Sequence, residues 1–241
     1  MSTMTRVSDA TGRIDLRRRR DRRRRWLFVA LAAVVVAVLA GLAWLLLFST
    51  VFGVRTVEVS GAKIANADDV RRLADVPAGT PLARVDLDAV ATRVAGLPAV
   101  DTVTVTRNWP NAIGIRIVER TPLFAIETPG GYWIADDEGV IFNSAADAPK
   151  GLMVAQVTGD DPRLVRDLGT VLSALPADLH DRVKQVSADS PDSITLQLDG
   201  GVRVIWGSAD QSALKAQVIV PLMQQKGTTY DVSAPSNPTV K

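Results

Sequence analysis

The chain has 241 residues, 28 Lys and Arg against 26 Asp and Glu, one His and no Cys. Without cysteine there is no disulfide framework, no Cys-ligated zinc, no iron–sulfur cluster and no thiol nucleophile. The lone His180 excludes an intramolecular multi-His metal site, and 5% aromatic residues are too few for an array of base-stacking platforms.

The net charge of +2 hides an asymmetry. Residues 1–25 hold ten Arg against Asp9, Asp15 and Asp21, which makes +7; the other 216 residues hold 18 basic and 23 acidic side chains, which makes −5. The basic character is a property of the tail and not a nucleic-acid signature of the whole chain.

Residues 26–48 read WLFVALAAVVVAVLAGLAWLLLF, with no charge and only Gly41 outside the apolar set. At ~1.5 Å per residue this is roughly 35 Å of helix, enough to cross a ~30 Å hydrocarbon core. The run is longer than the ~7–15 residues of a signal-peptide core and is not followed by a small-residue cleavage site. The ten Arg on its N-terminal side, against Arg55 and Lys63 just beyond it, predict a cytoplasmic tail at 1–25 and an extracytoplasmic 49–241.

Past the apolar segment, residues 52–61 alternate as a strand closed by Gly61. Asn66 is a cap for a short helix over 67–76, with Asp68 and Asp69 in its first turn. Asp86 introduces a second helix through Val94, with Leu87, Val90, Ala91 and Val94 on one stripe; Gly96 and Pro98 end it. Residues 100–107 alternate again, 108–111 form a turn, and Ile113, Ile115 and Ile117 line one face of the next strand. The order β-α-α-β-β predicts a small α+β domain, two helices on one face of a three-stranded sheet, over 52–122.

A second unit is predicted over 123–234. Its strands fall at 123–127, 132–135, 140–142, 182–187, 193–198 and 202–206, its helices at 163–175 and 211–225. Pro221 implies a kink or an early end to the second helix. Residues 228–234 read as a final strand, and 235–241 as a disordered tail. A last strand of that kind either completes the domain core or offers an unpaired edge to another chain.

No catalytic constellation emerges. Asp136, Asp137 and Glu138 beside Gly139 lack the EF-hand spacing and read as an acidic turn. Ser144, His180 and Asp178 have no nucleophile elbow around them. No Walker loop or G-x-G-x-x-G is present. No cofactor, metal, nucleic acid or small-molecule substrate is implied.

Taken in order, Phe52-Gly53-Val54, Val57-Glu58-Val59-Ser60-Gly61, Gly79-Thr80-Pro81-Leu82, Leu97-Pro98-Ala99-Val100, Arg107-Asn108-Trp109-Pro110 and Glu119-Arg120-Thr121-Pro122, then Trp133 to Asp136 and Glu138 to Phe142, resemble the FtsQ/DivIB cell-division proteins. The resemblance spans 26–234 and implies that 52–122 is a POTRA domain, for polypeptide transport-associated. It implies a non-enzymatic, single-pass scaffold at the division septum. In that family the terminal domain's last strand and preceding helix bind the small bitopic proteins FtsB and FtsL, which makes Thr229, Tyr230, Asp231, Val232 and Ser233 the candidate partner site. Arg107, Trp109, Pro110, Glu119, Arg120, Pro122, Asp136 and Gly139 carry structural roles: Trp109-Pro110 fixes a turn, and Glu119 and Arg120 pair or bond to backbone at a strand end. Two other readings compete with this one. A polypeptide-transport chaperone would need an outer-membrane barrel, and the alternating lipid-facing strands of one are missing. A membrane-anchored cell-wall enzyme would need a nucleophile or metal set.

Overall fold

The computed structural model describes residues 10–158 and 161–241. Its first element is one long helix, α1 (Ala10–Phe48), whose portion Arg25–Phe48 is long and apolar enough to cross a membrane and has none of its most apolar window buried. Leu, Val, Phe and Trp side chains point outward all around it, as a helix solvated by lipid requires. The helix starts well before the apolar segment and carries the Arg cluster as continuous helix.

The chain divides into two compact units. Of the described residues, one unit takes those up to Glu58 together with Val76–Leu87 and Thr106–Gly114; the other takes those of Val59–Asp75, Asp88–Val105 and Ile115–Lys241.

After α1 the expected strand at 52–61 starts late. Thr50–Phe52 forms a single 3-10 turn, capped by Ser49 Oγ accepting from the Val51 amide at 3.2 Å, and the strand β1 is Thr56–Ser60. Helix α2 (Ala67–Ala74) begins at Asn66, whose side chain accepts from the Asp68 amide, with Asp68 and Asp69 in its first turn. Helix α3 (Leu87–Ala95) follows and buries Val90 and Val94. Strands β2 (Val100–Asn108) and β3 (Ala112–Glu119) complete a three-stranded sheet ordered β1-β3-β2. β3 is central, and its Ile113, Ile115 and Ile117 are 0–2% exposed, the period-2 face that the sequence predicts. This is the β-α-α-β-β order of a POTRA domain, and the fold is α+β.

The second sheet has nine strands in the order β12-β11-β10-β9-β8-β7-β4-β5-β6. β4 (Phe124–Thr128), β5 (Gly131–Ala135) and β6 (Ile141–Ala145) form a meander. β7 (Met153–Val157), a strand not predicted, lies parallel to both β4 and β8 (Val183–Ala188). β9 (Ile194–Leu198) and β10 (Arg203–Gly207) form the predicted hairpin, with Gly200 and Gly201 at positive φ in its turn. β11 (Thr229–Asp231) pairs parallel with β10. β12 (Thr239–Val240) pairs antiparallel with β11.

Helix α4 (Pro162–Ser173) has Asp161 as N-cap and Pro162 in its first turn, the favoured place for a residue without an amide hydrogen. A short helix, α5 (Ala177–His180), follows it. Helix α6 (Ser212–Leu222) stops one residue after Pro221, the early end that the proline implies. Leu164, Leu168, Val171 and Leu172 of α4 and Ile219 and Leu222 of α6 join Phe124, Val186, Leu196, Val204 and Trp206 of the sheet in one core. Each such side chain contributes about 1.5–3 kcal/mol on burial.

Two expectations fail at the C-terminus. Residues 235–241 are not a disordered tail. The chain turns at Asn237, whose amide donates to Ala234 O at 2.9 Å, and returns as β12. The predicted final strand at 228–234 is accordingly shorter and not terminal, because β12 covers its outer side.

Candidate functional site

The candidate partner residues lie in and just after β11. Tyr230 is 4% exposed and Val232 0%. The Tyr230 hydroxyl donates to Gln225 O at 2.8 Å, and the Val232 amide donates to Ile205 O at 3.0 Å. Thr229 and Asp231 are half-buried, and Asp231 accepts from the amide and hydroxyl of Ser233 at 3.0 and 2.7 Å. Only Ser233 of the five is exposed. Tyr230 and Val232 are core residues, their side chains buried within the chain's own fold. On the β11 side the edge of the sheet is β12 (Thr239 and Val240), and on the opposite side it is β6. Lys241 donates to Thr229 O at 2.8 Å and accepts from Thr229 N at 2.9 Å. Alternation along an antiparallel strand then turns the amide and carbonyl of Val240 outward. Nearby, α6 leaves Leu214 and Val220 exposed by 45% and 46%.

The structural motifs form two hydrogen-bonded assemblies. In the first, Glu119 Oε1 accepts from three consecutive amides, Lys63, Ile64 and Ala65, at 2.8 Å each. Burial pushes this carboxyl up, but the three amide donors and the Lys63 charge outweigh it, and its pKa lies below the ordinary value. Arg120 pairs with the nearly buried Asp136 and reaches Glu138 at 2.8 Å. Arg120 Nε is buried with no acceptor among the described residues. Hydrogen bonding to these two carboxylates raises the Arg120 pKa. Asp136 Oδ1 accepts from the amides of Glu138 and Val140 at 3.1 and 2.7 Å. The acidic turn is therefore a closed structural unit. Gly139 ends it at φ +74°, where a Cβ would stand 2.5 Å from Arg166 Cα. Pro122 is exposed in the connection from β3 to β4.

In the second assembly Arg107 Nε donates to Leu82 O at 2.7 Å and its guanidinium to Val85 O at 2.6 Å. These bonds hold the 3-10 turn Leu82–Arg84. Trp109, in the turn after β2, packs edge-on against Phe52 with ring centroids 5.7 Å apart. The Trp109–Pro110 peptide is cis. Trp109 is 50% exposed, so its indole covers Phe52 at a surface.

Sequence reasoning missed Lys215, which is 1% exposed and donates to Trp206 O and Ser208 O at 3.0 and 2.8 Å. Burial lowers its pKa, opposed by Asp210, Asp192 and Asp231. One signal was available: Lys215 lies three and four residues before Val218 and Ile219 and one before Ala216, on the helix stripe that turns inward. His180 faces its neighbour Asp181 at 3.6 Å, and Ser144 sits on β6. Among the described residues no three His, Asp or Glu converge as a metal site.

A helix fit to span a membrane, followed by a β-α-α-β-β unit and a mixed sheet, defines a POTRA-containing protein with a candidate membrane anchor. Residues 52–120 match the POTRA domain of FtsQ type and residues 125–234 match the C-terminal region of cell division protein FtsQ/DivIB. The cell division protein FtsQ of Streptomyces collinus is 38% identical over 227 residues, covering 87% of this chain and 86% of the relative. That of Mycolicibacterium smegmatis is 41% identical over 222 residues, covering 90% of this chain and 66% of the relative. That of Streptomyces coelicolor is 34% identical over 249 residues, covering 97% and 94%. The chain belongs to the FtsQ/DivIB family of bacterial cell-division proteins. The extracytoplasmic domain of DivIB from Geobacillus stearothermophilus is a distant structural neighbour, 13% identical, with a TM-score of 0.36 over 49% of this chain and 97% of that one.

Proposed function

We propose that this chain is a non-enzymatic, single-pass scaffold of the division septum, with residues 1–25 in the cytoplasm and 49–241 outside, which captures small bitopic partners of the FtsB and FtsL type. The +7 tail before the apolar helix supports the orientation. Confinement to the membrane raises the effective concentration of ectodomain and partners for one another. The observation that carries the docking mode is the outer edge of β12, a two-residue strand at the end of a nine-stranded sheet. Its outward amide and carbonyl are a template on which an extended segment adds a strand. The partner contacts β12 directly, and Thr229 to Ser233 support it from within. Two readouts on the full-length chain test the reading. A reporter active only outside the cytoplasm is active when fused after Lys241 and silent after Arg25, and affinity-tagged chain recovers FtsB- and FtsL-type proteins from bacterial membranes. An active reporter at Arg25 reverses the orientation, and recovery without either protein contradicts the docking role.

A further inference from the structure

The membrane exit of α1 is stiff, and it is continuous with an exposed aromatic and cationic surface in the same unit. Three hydrogen bonds fix the exit: Gly53 N to Thr50 O at 3.0 Å, Val54 N to Thr80 O at 2.9 Å and Gly79 N to Val54 O at 2.8 Å. Gly53 and Gly79 approach so closely that a Cβ on Gly53 would lie 2.7 Å from Gly79 O. The loop thus clamped carries Arg84, whose guanidinium stands 5.5 Å over the Phe48 ring, the last residue of the helix. Arg107 holds that loop from the other side through the Leu82 and Val85 carbonyls. Four residues past Phe48, Phe52 meets Trp109, and both Val51 and Trp109 are half exposed.

We infer that this surface, built from Phe48, Val51, Phe52, Arg84 and Trp109, seats in the phospholipid headgroup layer that α1 enters. The inference rests on α1 spanning the bilayer. The apolar portion of α1 has 24 residues, or about 36 Å of helix against a hydrocarbon core of ~30 Å. Phe48 therefore lies at or just past the hydrocarbon boundary. At ~2 Å per residue through the 3-10 turn, Phe52 is on the order of 8 Å farther out, the depth of the headgroup layer. An indole with an apolar body and an N–H donor favours that layer. A guanidinium donates in pairs to lipid phosphate. The hydrogen-bonded exit means that seating this surface also fixes the height above the membrane of the turn after β2 that carries Trp109.

The test reconstitutes full-length chain in vesicles of phosphatidylethanolamine and phosphatidylglycerol in equal parts. Replacing Trp26, Trp44 and Trp133 by Phe leaves Trp109 and the fully buried Trp206; adding W109F gives the background. The Trp109 emission is expected to be quenched by phospholipid brominated near the glycerol, more than by lipid brominated at the chain ends, and to resist aqueous acrylamide. Arg84→Gln is expected to weaken the lipid quenching. A companion variant that keeps Trp44 and lacks Trp109 reports insertion of α1. If Trp44 is quenched by lipid while Trp109 responds only to acrylamide, the headgroup seating is wrong and the anchor stands. If neither responds to lipid, the spanning helix falls and the seating with it. Circular dichroism of each variant confirms that the fold is intact.

Discussion

The guanidinium of Arg120, one residue beyond β3, closes on the carboxylate of Asp136, one residue beyond β5, and the Asp136 side chain is only 3% exposed. Both oxygens of Asp136 are committed, one to Arg120 and the other to the Glu138 and Val140 amides. Burying a carboxylate is favourable only when its charge and lone pairs are met. The cluster meets them here for Asp136 through Arg120 and the two amides.

Removing Asp136 strands Arg120 and two backbone donors. Asp136→Ala should cost about 3 kcal/mol or more, as for other broken buried pairs, which for a chain of this size is roughly 6–12 °C of Tm. Asp136→Asn keeps an acceptor for the amides and should lose less. Thermal unfolding of the detergent-solubilised full-length protein measures both, and equal, negligible shifts would show that the pair is not structural.

Glu119 should make stability pH-dependent. Its folded-state carboxyl lies below the ordinary value of 4.5, so the folded state binds fewer protons than the unfolded state. The contribution is complete above about pH 4.5 and is lost as pH falls through the lowered folded value. Glu119→Gln cannot make the charged interaction. Urea unfolding of both proteins from neutral to acid pH should show the stability gap narrowing as pH falls; a constant gap contradicts the amide-cradle reading.

Two glycines let the acidic turn rest on α4. A Cβ on Gly169 would stand 2.9 Å from Gly139 N, and Gly139 itself has φ +74°. Gly139→Ala and Gly169→Ala should each destabilise by more than about 1 kcal/mol through clash and, for Gly139, backbone strain. Gly130, with open space where a Cβ would be, should tolerate Ala. Melting temperatures of the three variants separate these outcomes.

The POTRA region was readable because its signals are local: the Asn66 cap, the stripe on α3 and the Ile113-Ile115-Ile117 alternation all lie within single elements. β7 was hidden because Met153–Val157 is only five residues long and, although Met153 and Ala155 are buried and Gln156 is exposed, a run this short gives little period to read. β12 was hidden because a two-residue strand has no period to read, and Pro235 and Pro238 nearby suggest irregular chain. The motif residues were legible, their partners less so. Glu119 was expected to pair or bond to backbone, yet its three amide donors lie 54 to 56 residues away, a separation set by tertiary structure alone. β11 reads as terminal for the same reason: the returning β12 that covers it is set by tertiary structure.

That return makes Val240 the decisive position. A proline at Val232 would break the bond to Ile205 and disturb the core, so it cannot distinguish docking from folding. A proline at Val240 removes an outward donor and replaces a side chain that packs at the rim of the core, and it leaves the Lys241–Thr229 bonds in place. The most direct measurement is capture of FtsB- and FtsL-type partners from bacterial membranes by tagged full-length Val240→Pro, alongside its circular dichroism spectrum. Strand addition at β12 predicts an unchanged spectrum with capture lost. Capture at the level of the unmodified chain, with the same spectrum, would contradict it.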